Sequence, residues 1–359
     1  MKNILIILSF LSLSICSCNN REKLFVDYFN NVVNKELVEG EKVVLHRFEG
    51  GHLQFLIGDS LLLVHQDKKS KVLHLYNLNN SKAKYRFALK GNGPGEVNHF
   101  ANIWFNSRLN SILGYDPAKK IIYQFSLDSI LQREEYLPQQ MSLYTNEGES
   151  IYKVAPINDT LLLCTGVFNK GVFEVIDNKH DSIIGSYGEY PKSELTEGQS
   201  DHFLGTVYQG MVIGNPNGEK FVKIGYLYGA LDFARFNHNA GLDIVKSYNI
   251  TPVIFQTVSF PSGYQTAAYV RSNRMGFVSV AYNSKYIYML YSGKSPDEFK
   301  DNCLYGNAIA VFDWDGNPVA YYSLSRDAES IAVDSNNQML YVLFVDEDYS
   351  LERFNIENI

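Results

Sequence analysis

Ile309-Ala310-Val311-Phe312-Asp313-Trp314-Asp315-Gly316 is the stretch whose reading decides the fold. Apolar residues run into an aromatic, then into Asp and Gly. That is a strand ending in a tight turn. The same signature stands at Leu73-His74-Leu75-Tyr76-Asn77-Leu78-Asn79-Asn80, Ile122 to Asp128, Val172 to Asn178 and Leu351 to Glu357, with a degenerate copy at Leu231 to Asn237. The aligned positions are Tyr76, Phe125, Val175, Ala234, Phe312 and Phe354, spaced by 49, 50, 59, 78 and 42 residues. A return at roughly 40 to 60 residues is the period of a four-stranded propeller blade.

A second strand precedes each copy. These are Leu61–Val64, Ser111–Gly114, Leu161–Cys164, Phe221–Ile224, Tyr286–Tyr291 and Met339–Leu343. Six pairs predict an all-β, six-bladed β-propeller. The last copy ends almost at the C-terminus, so its outer strand must come from elsewhere. Lys42-Val43-Val44-Leu45-His46-Arg47-Phe48 is available near the start. Pairing of N- and C-terminal strands would close the ring and remove an open edge. A pair of packed β-sandwiches is the competing architecture.

Composition agrees with a β-rich fold. Of the 359 residues, 14% are aromatic, as Tyr 25, Phe 22 and Trp 2, and such side chains suit half-buried pleated surfaces. The length alone would also allow two domains. Lys and Arg number 32 against 39 Asp and Glu, a formal charge of −7, and no basic run of five occurs. Nucleic acid is therefore not an expected partner, since phosphate binding needs a concentrated basic face.

The N-terminus reads as an address. Lys2 precedes an apolar run, Ile4 to Ile15, that is too short to span a bilayer. Ile15-Cys16-Ser17-Cys18 follows and resembles the bacterial lipobox, with small Ser17 just before Cys18. The resemblance implies cleavage before Cys18 and lipidation of its sulfur, with plain secretion as the alternative. Asn19 is not the Asp that, by analogy, retains lipoproteins at the inner membrane, so the outer membrane is expected, its face left open. The expected organisation is a signal peptide over 1–17, a lipidated tether over 18–40 and a propeller over 41–359. Cys164 and Cys303 remain to pair or stay free; Cys164 lies in an apolar strand and reads as a buried thiol.

Three further segments carry a resemblance to a known group. They are Lys90-Gly91-Asn92-Gly93-Pro94-Gly95-Glu96-Val97, then Tyr208-Gln209-Gly210 with Asn215 to Phe221, then Tyr286 to Gly293 with Ile309 to Gly316 and Ile331 to Asp334. With them the chain resembles the TolB-like six-bladed propeller lipoproteins of bacteria. The resemblance implies a scaffold and a location in the envelope, and no reaction.

No catalytic motif stands out. Gly91-Asn92-Gly93-Pro94-Gly95-Glu96 fails as a phosphate loop, because the third glycine comes too early and Pro94 lacks a donor. It reads as a tight connection between blades in which Glu96 accepts backbone hydrogen bonds. Gly-x-Ser-x-Gly and His-Glu-x-x-His are both missing from the sequence. No cofactor and no metal are expected. The long intervals place extra residues at 187–210, 251–273 and 292–307. Tyr187, Asp201, His202, Tyr264 and Arg271 in them form the expected binding mouth, since exposed tyrosine with a few polar handles is interface chemistry. The leading expectation is a non-enzymatic, membrane-anchored module binding an envelope protein, a peptide or a glycan. The alternative is a hydrolase or lyase whose residues converge on the central channel.

Overall fold

The computed structural model describes residues 25–132, 136–248, 253–261, 263, 265–345 and 348–356. Two short strands come first, β1 (Val33–Leu37) and β2 (Glu41–Lys42). Four antiparallel, four-stranded sheets follow in chain order. The first holds β3 (His52–Ile57), β4 (Leu61–His65), β5 (Lys71–Asn77) and β6 (Lys84–Leu89). The second holds β7 (Asn102–Asn106), β8 (Ser111–Asp116), β9 (Ile121–Ser126) and β10 (Gln139–Ser142), with helix α1 (Leu127–Gln132) between its last two strands. The third holds β11 (Ser150–Pro156), β12 (Leu161–Val167), β13 (Phe173–Asp177) and β14 (Ser182–Tyr187). After helix α2 (Asp201–Val207) the fourth holds β15 (Gly210–Gly214), β16 (Lys220–Gly225), β17 (Leu231–Asn237) and β18 (Gly241–Tyr248).

A separate hairpin, β19 (Phe255–Ser259) with β20 (Gln265–Tyr269), leads into the last two blades. Blade five has β21 (Phe277–Tyr282) and β22 (Tyr286–Tyr291), then helix α3 (Pro296–Phe299) and β23 (Gly306–Asp313). Its outer strand is the first part of β24 (Pro318–Val333), whose second part is the inner strand of blade six. Blade six continues with β25 (Met339–Val345) and β26 (Tyr349–Asn355). The recurrent signature therefore marks the third strand of every blade (β5, β9, β13, β17, β23, β26), and the apolar runs before it are the second strands.

The ring closes as expected in kind but not in extent. β2 pairs antiparallel with β26, through Glu41↔Arg353 and Lys42↔Glu352, and the amide of Val43 donates to Leu351 at 2.8 Å. The expected strand over 42–48 leaves the sheet after Val43, because the His46 amide turns to Ser81 of the neighbouring blade at 2.9 Å. Arg353 locks the short pairing with two nitrogens on the Glu41 carboxylate at 2.8–2.9 Å. The expected tether over 18–40 is also corrected from Phe25 onward. Phe25–Phe29 form a 3₁₀ turn whose Phe29 is fully buried 5.2 Å from the Phe312 ring, and β1 runs parallel to β24. Two aromatics four residues apart gave that segment a face to bury. Residues 1–17 and Cys18 lie outside the described residues.

Six apolar clusters hold the molecule together, one at each junction between neighbouring blades. Alternation along each middle strand serves two junctions at once. On β4, Leu62 and Val64 face blade six while Leu63 faces blade two. That explains why β8 is buried at all six positions: a strand with both faces covered reads as a continuous apolar run. Tyr76, Phe125 and Phe312 are each fully buried, and Phe354 is nearly so, at the blade six–one, one–two, four–five and five–six junctions respectively. Cys164 and Cys303 are both buried and unpaired.

Candidate binding site in the central channel

An antiparallel meander fixes which loops share a face. Connections between blades lie with the turns joining second to third strands; the other turns lie opposite. The three long insertions are two inter-blade connections, holding α2 and the β19–β20 hairpin, and one second-to-third-strand turn, holding α3. All three therefore open on one face, called here the upper face. The hairpin is moored to α2: the Ala267 amide donates to Thr206 Oγ1 at 3.1 Å, and the Tyr269 hydroxyl donates to Thr206 O and Val207 O at 2.8 and 2.9 Å.

The expected mouth residues sit on this face or at its outer margin. Asp201 opens α2 and accepts from the Gly171 amide at 2.8 Å; His202 beside it meets Gly148 O at 3.2 Å. Arg271 binds Asp297 at 3.2 Å and Pro296 O at 3.1 Å, which ties the hairpin's exit to α3. Tyr187 ends β14, an outer strand, with its ring over Gly185 and Gly241. Tyr264 lies outside the described residues. None of the other four lines the central channel. The 91–96 connection is on the upper face as well. Glu96 Oε2 accepts from the Gly93 amide at 2.7 Å, and the Tyr123 hydroxyl and Lys119 ammonium donate to Glu96 O at 2.8 and 2.7 Å. Gly95 has φ of +75°, and a Cβ on Gly91 would lie 2.1 Å from Glu96 Oε2. Pro94 sits in the same turn, where its missing donor leaves no bond unmade.

The inner strands β3, β7, β11, β15, β21 and the end of β24 surround a cavity of about 1120 Å³. Neighbouring inner strands are laced by side chains. Ser330 Oγ accepts from the Leu53 amide at 2.9 Å and Ser279 Oγ from the Ile331 amide at 3.1 Å. Asn102 Nδ2 donates to Val154 O at 2.6 Å, while its oxygen accepts from the Val154 amide at 3.2 Å. Four inner strands carry a β-bulge near their upper end, with Gln54, Tyr152, Val278 or Glu329 as the extra residue. A bulge re-aims side chains and is a recurrent device beside functional sites. Gln54, Val278 and Glu329 line the cavity, as does Lys153, the residue after the Tyr152 bulge.

Lys153 is the electrostatic centre of this channel. Its ammonium donates to Ala101 O and stands 6.0 Å from the centre of the Tyr226 ring. Among the described residues no carboxylate pairs with it. Protein surrounds it on nearly every side, although it keeps some accessible surface, and this burial lowers its pKa from 10.5 to about 8. Burial also pushes Tyr226 up to about 12 and holds the His52 imidazole below its ordinary range. His52 meets Val278 O through Nε2 at 3.3 Å. Glu329 is half-buried, its pKa is raised by burial, and its Oε2 has no hydrogen-bond partner.

Most charges at the two ends of the channel pair with one another. At the upper end Asp67 lies 3.1 Å from His65 Nε2 and 3.3 Å from His99 Nδ1. The His65 contact is too bent for a good hydrogen bond and leaves that nitrogen unsatisfied. The two imidazoles hold the Asp67 carboxyl far below the usual carboxylate range. Glu49 pairs with Lys69 at 3.2 Å, and at the lower end Arg108 pairs with Asp159. Sequence reasoning passed over Lys153, Glu329, Ser279, Ser330 and Asn102. The available signal was a charge inside a strand-like run, as in Ile151-Tyr152-Lys153-Val154-Ala155.

A family model described as TolB-like 6-blade propeller-like matches residues 53–336. The chain belongs to that family. The match takes in the upper-face insertions, the lacing side chains and both Lys153 and Glu329. No curated protein matches the TolB-like chain in sequence. Among solved structures it is similar to Raptor of Chaetomium thermophilum, with TM-score 0.50 and 10% identity over 89% of this chain, which spans 29% of that one. It is also similar to the β-propeller domain of Myceliophteria thermophila Cps50 (Swd1), with TM-score 0.47 and 8% identity over 88% of this chain and 99% of that one. At such identities the likeness concerns the fold alone.

Proposed function

We propose that this TolB-like propeller is a lipid-anchored, non-enzymatic binding module of the bacterial outer membrane, which grips an envelope protein, peptide or glycan with its upper face. The observation that carries the reading is the gathering of all three long insertions on that face. Short turns occupy most of the opposite face. The lipobox-like Ile15-Cys16-Ser17-Cys18 supports the anchor, because multiple acyl chains hold a protein to a bilayer far better than one.

Capture from solubilised envelopes tests it, with the wild type, a Cys18→Ala variant and a variant in which residues 255–269 are replaced by a short Gly/Ser turn. The expected result is a specific partner retained by the first two and lost by the third, with Cys18→Ala moved to the soluble fraction. A partner held equally by the hairpin variant, or no partner at all, overturns the reading. One observation favours a hydrolase or lyase instead: the two imidazoles on Asp67 at the upper mouth, since general acid–base chemistry uses an imidazole held by a carboxylate. That alternative predicts turnover abolished by His99→Ala with partner capture intact.

A further inference from the structure

We propose that the central channel binds a small zwitterion, an α-amino acid or a short peptide with both ends free, its carboxylate on Lys153 and its amine on Glu329. This site does not depend on the partner proposed for the upper face.

The two residues are opposite poles of one cavity. Lys153 belongs to the inner strand of blade three and Glu329 to that of blade six, which face each other across a six-membered ring. Both line the same cavity. Each stands at a bulge, so each is aimed by a break in the ladder that the rest of its strand does not need. Most of the remaining charges around the cavity are already matched: Asp67 with His65 and His99, Glu49 with Lys69, Arg108 with Asp159. Lys153 has only a carbonyl and a ring face, and Glu329 keeps an oxygen without a partner. Among the described charges Lys68 bears on Glu329 from the upper mouth without forming an ion pair.

A ligand carboxylate would give the buried ammonium the charge-assisted bond that the fold withholds. A ligand amine would do the same for Glu329. The fold has already met most of the desolvation cost of both groups, so binding does not have to meet it again. Tyr226 supplies a flat face beside Lys153. A cavity of about 1120 Å³ is of the size that accepts small ligands.

Titration calorimetry on the purified chain tests the assignment with a length series, alanine to trialanine, each also in N-acetylated and C-amidated form. Wild type, Lys153→Met and Glu329→Gln are compared, with thermal unfolding confirming that each variant is folded. At least one free-ended ligand is expected to bind, with affinity falling tenfold or more on C-amidation and likewise on N-acetylation. Lys153→Met should abolish the preference for the free carboxylate only, and Glu329→Gln the preference for the free amine only. Absence of binding by every free-ended ligand overturns the proposal. So does equal binding of capped and free forms, or loss of both preferences in a single variant.

Discussion

Lys153 makes the residue scale the place where structure and chemistry meet. A lone ammonium surrounded by protein destabilises the fold, because burial penalises the charged form. Its folded pKa, about 8, lies below the unfolded 10.5. The penalty is therefore full below about pH 8 and fades as pH rises toward 10.5, where the native state has shed the proton before the unfolded state does. Lys153→Met should raise stability at pH 7 by up to about 3 kcal/mol, the free-energy equivalent of that shift, and by much less at pH 10. Urea unfolding at the two pH values checks this; equal gains would show that the packing of the new side chain, and not the lost charge, carries the effect. Glu96 illustrates the opposite case. Its carboxylate ties the Gly93 amide across the 91–96 turn, so Glu96→Ala should cost about 1–3 kcal/mol in the same assay. Glycine spacing announced a tight turn there. The one local sign of Lys153, a charge in a strand-like run, did not single it out, because such a charge is ordinarily a solvent-facing residue.

At the scale of elements the N-terminal segment is the instructive one. Phe25–Phe29 wedge into the junction of blades four and five, with Phe29 against Phe312 and Tyr321. Phe29→Ala should destabilise the chain by about 3–5 kcal/mol, as for other buried aromatics, and should expose residues 25–37 to limited proteolysis. Equal proteolytic resistance of wild type and variant would mean that the segment is held by β1 alone. The second and third strands of each blade were legible, since apolar runs and period-two runs ending in Asn, Asp or Gly carry both an element and its end. The 16-residue β24 was not. It serves two blades, and its change of partner from β23 to β25 reflects the curvature of the ring, which has no local code.

Closure governs the whole molecule. Each blade buries its faces only against its neighbours, so opening one junction exposes two sheets. The β2–β26 pairing is short, and the Val43 amide extends it by one bond to Leu351. Val43→Pro removes that donor and should lower the thermal midpoint while leaving one cooperative transition. Cys164 is fully buried between blades two and three. Its alkylation, followed by peptide mass spectrometry, should track that transition in wild type and variant alike. Alkylation well ahead of the transition would show that blades open singly.

From residue pattern alone came the β class, the second and third strand of every blade, the count of six, the need for an N-terminal strand to complete the last, and the positions of the three long insertions. These are local or periodic facts, set by side-chain alternation and turn chemistry within a dozen residues. Tertiary structure decided the rest. It placed the insertions on one face, turned Phe25–Leu37 into part of the ring, and set Lys153 and Glu329 opposite each other across the channel. Those relations join residues on different blades, and only the closing of the ring, driven by six buried junctions, fixes what lies across from what.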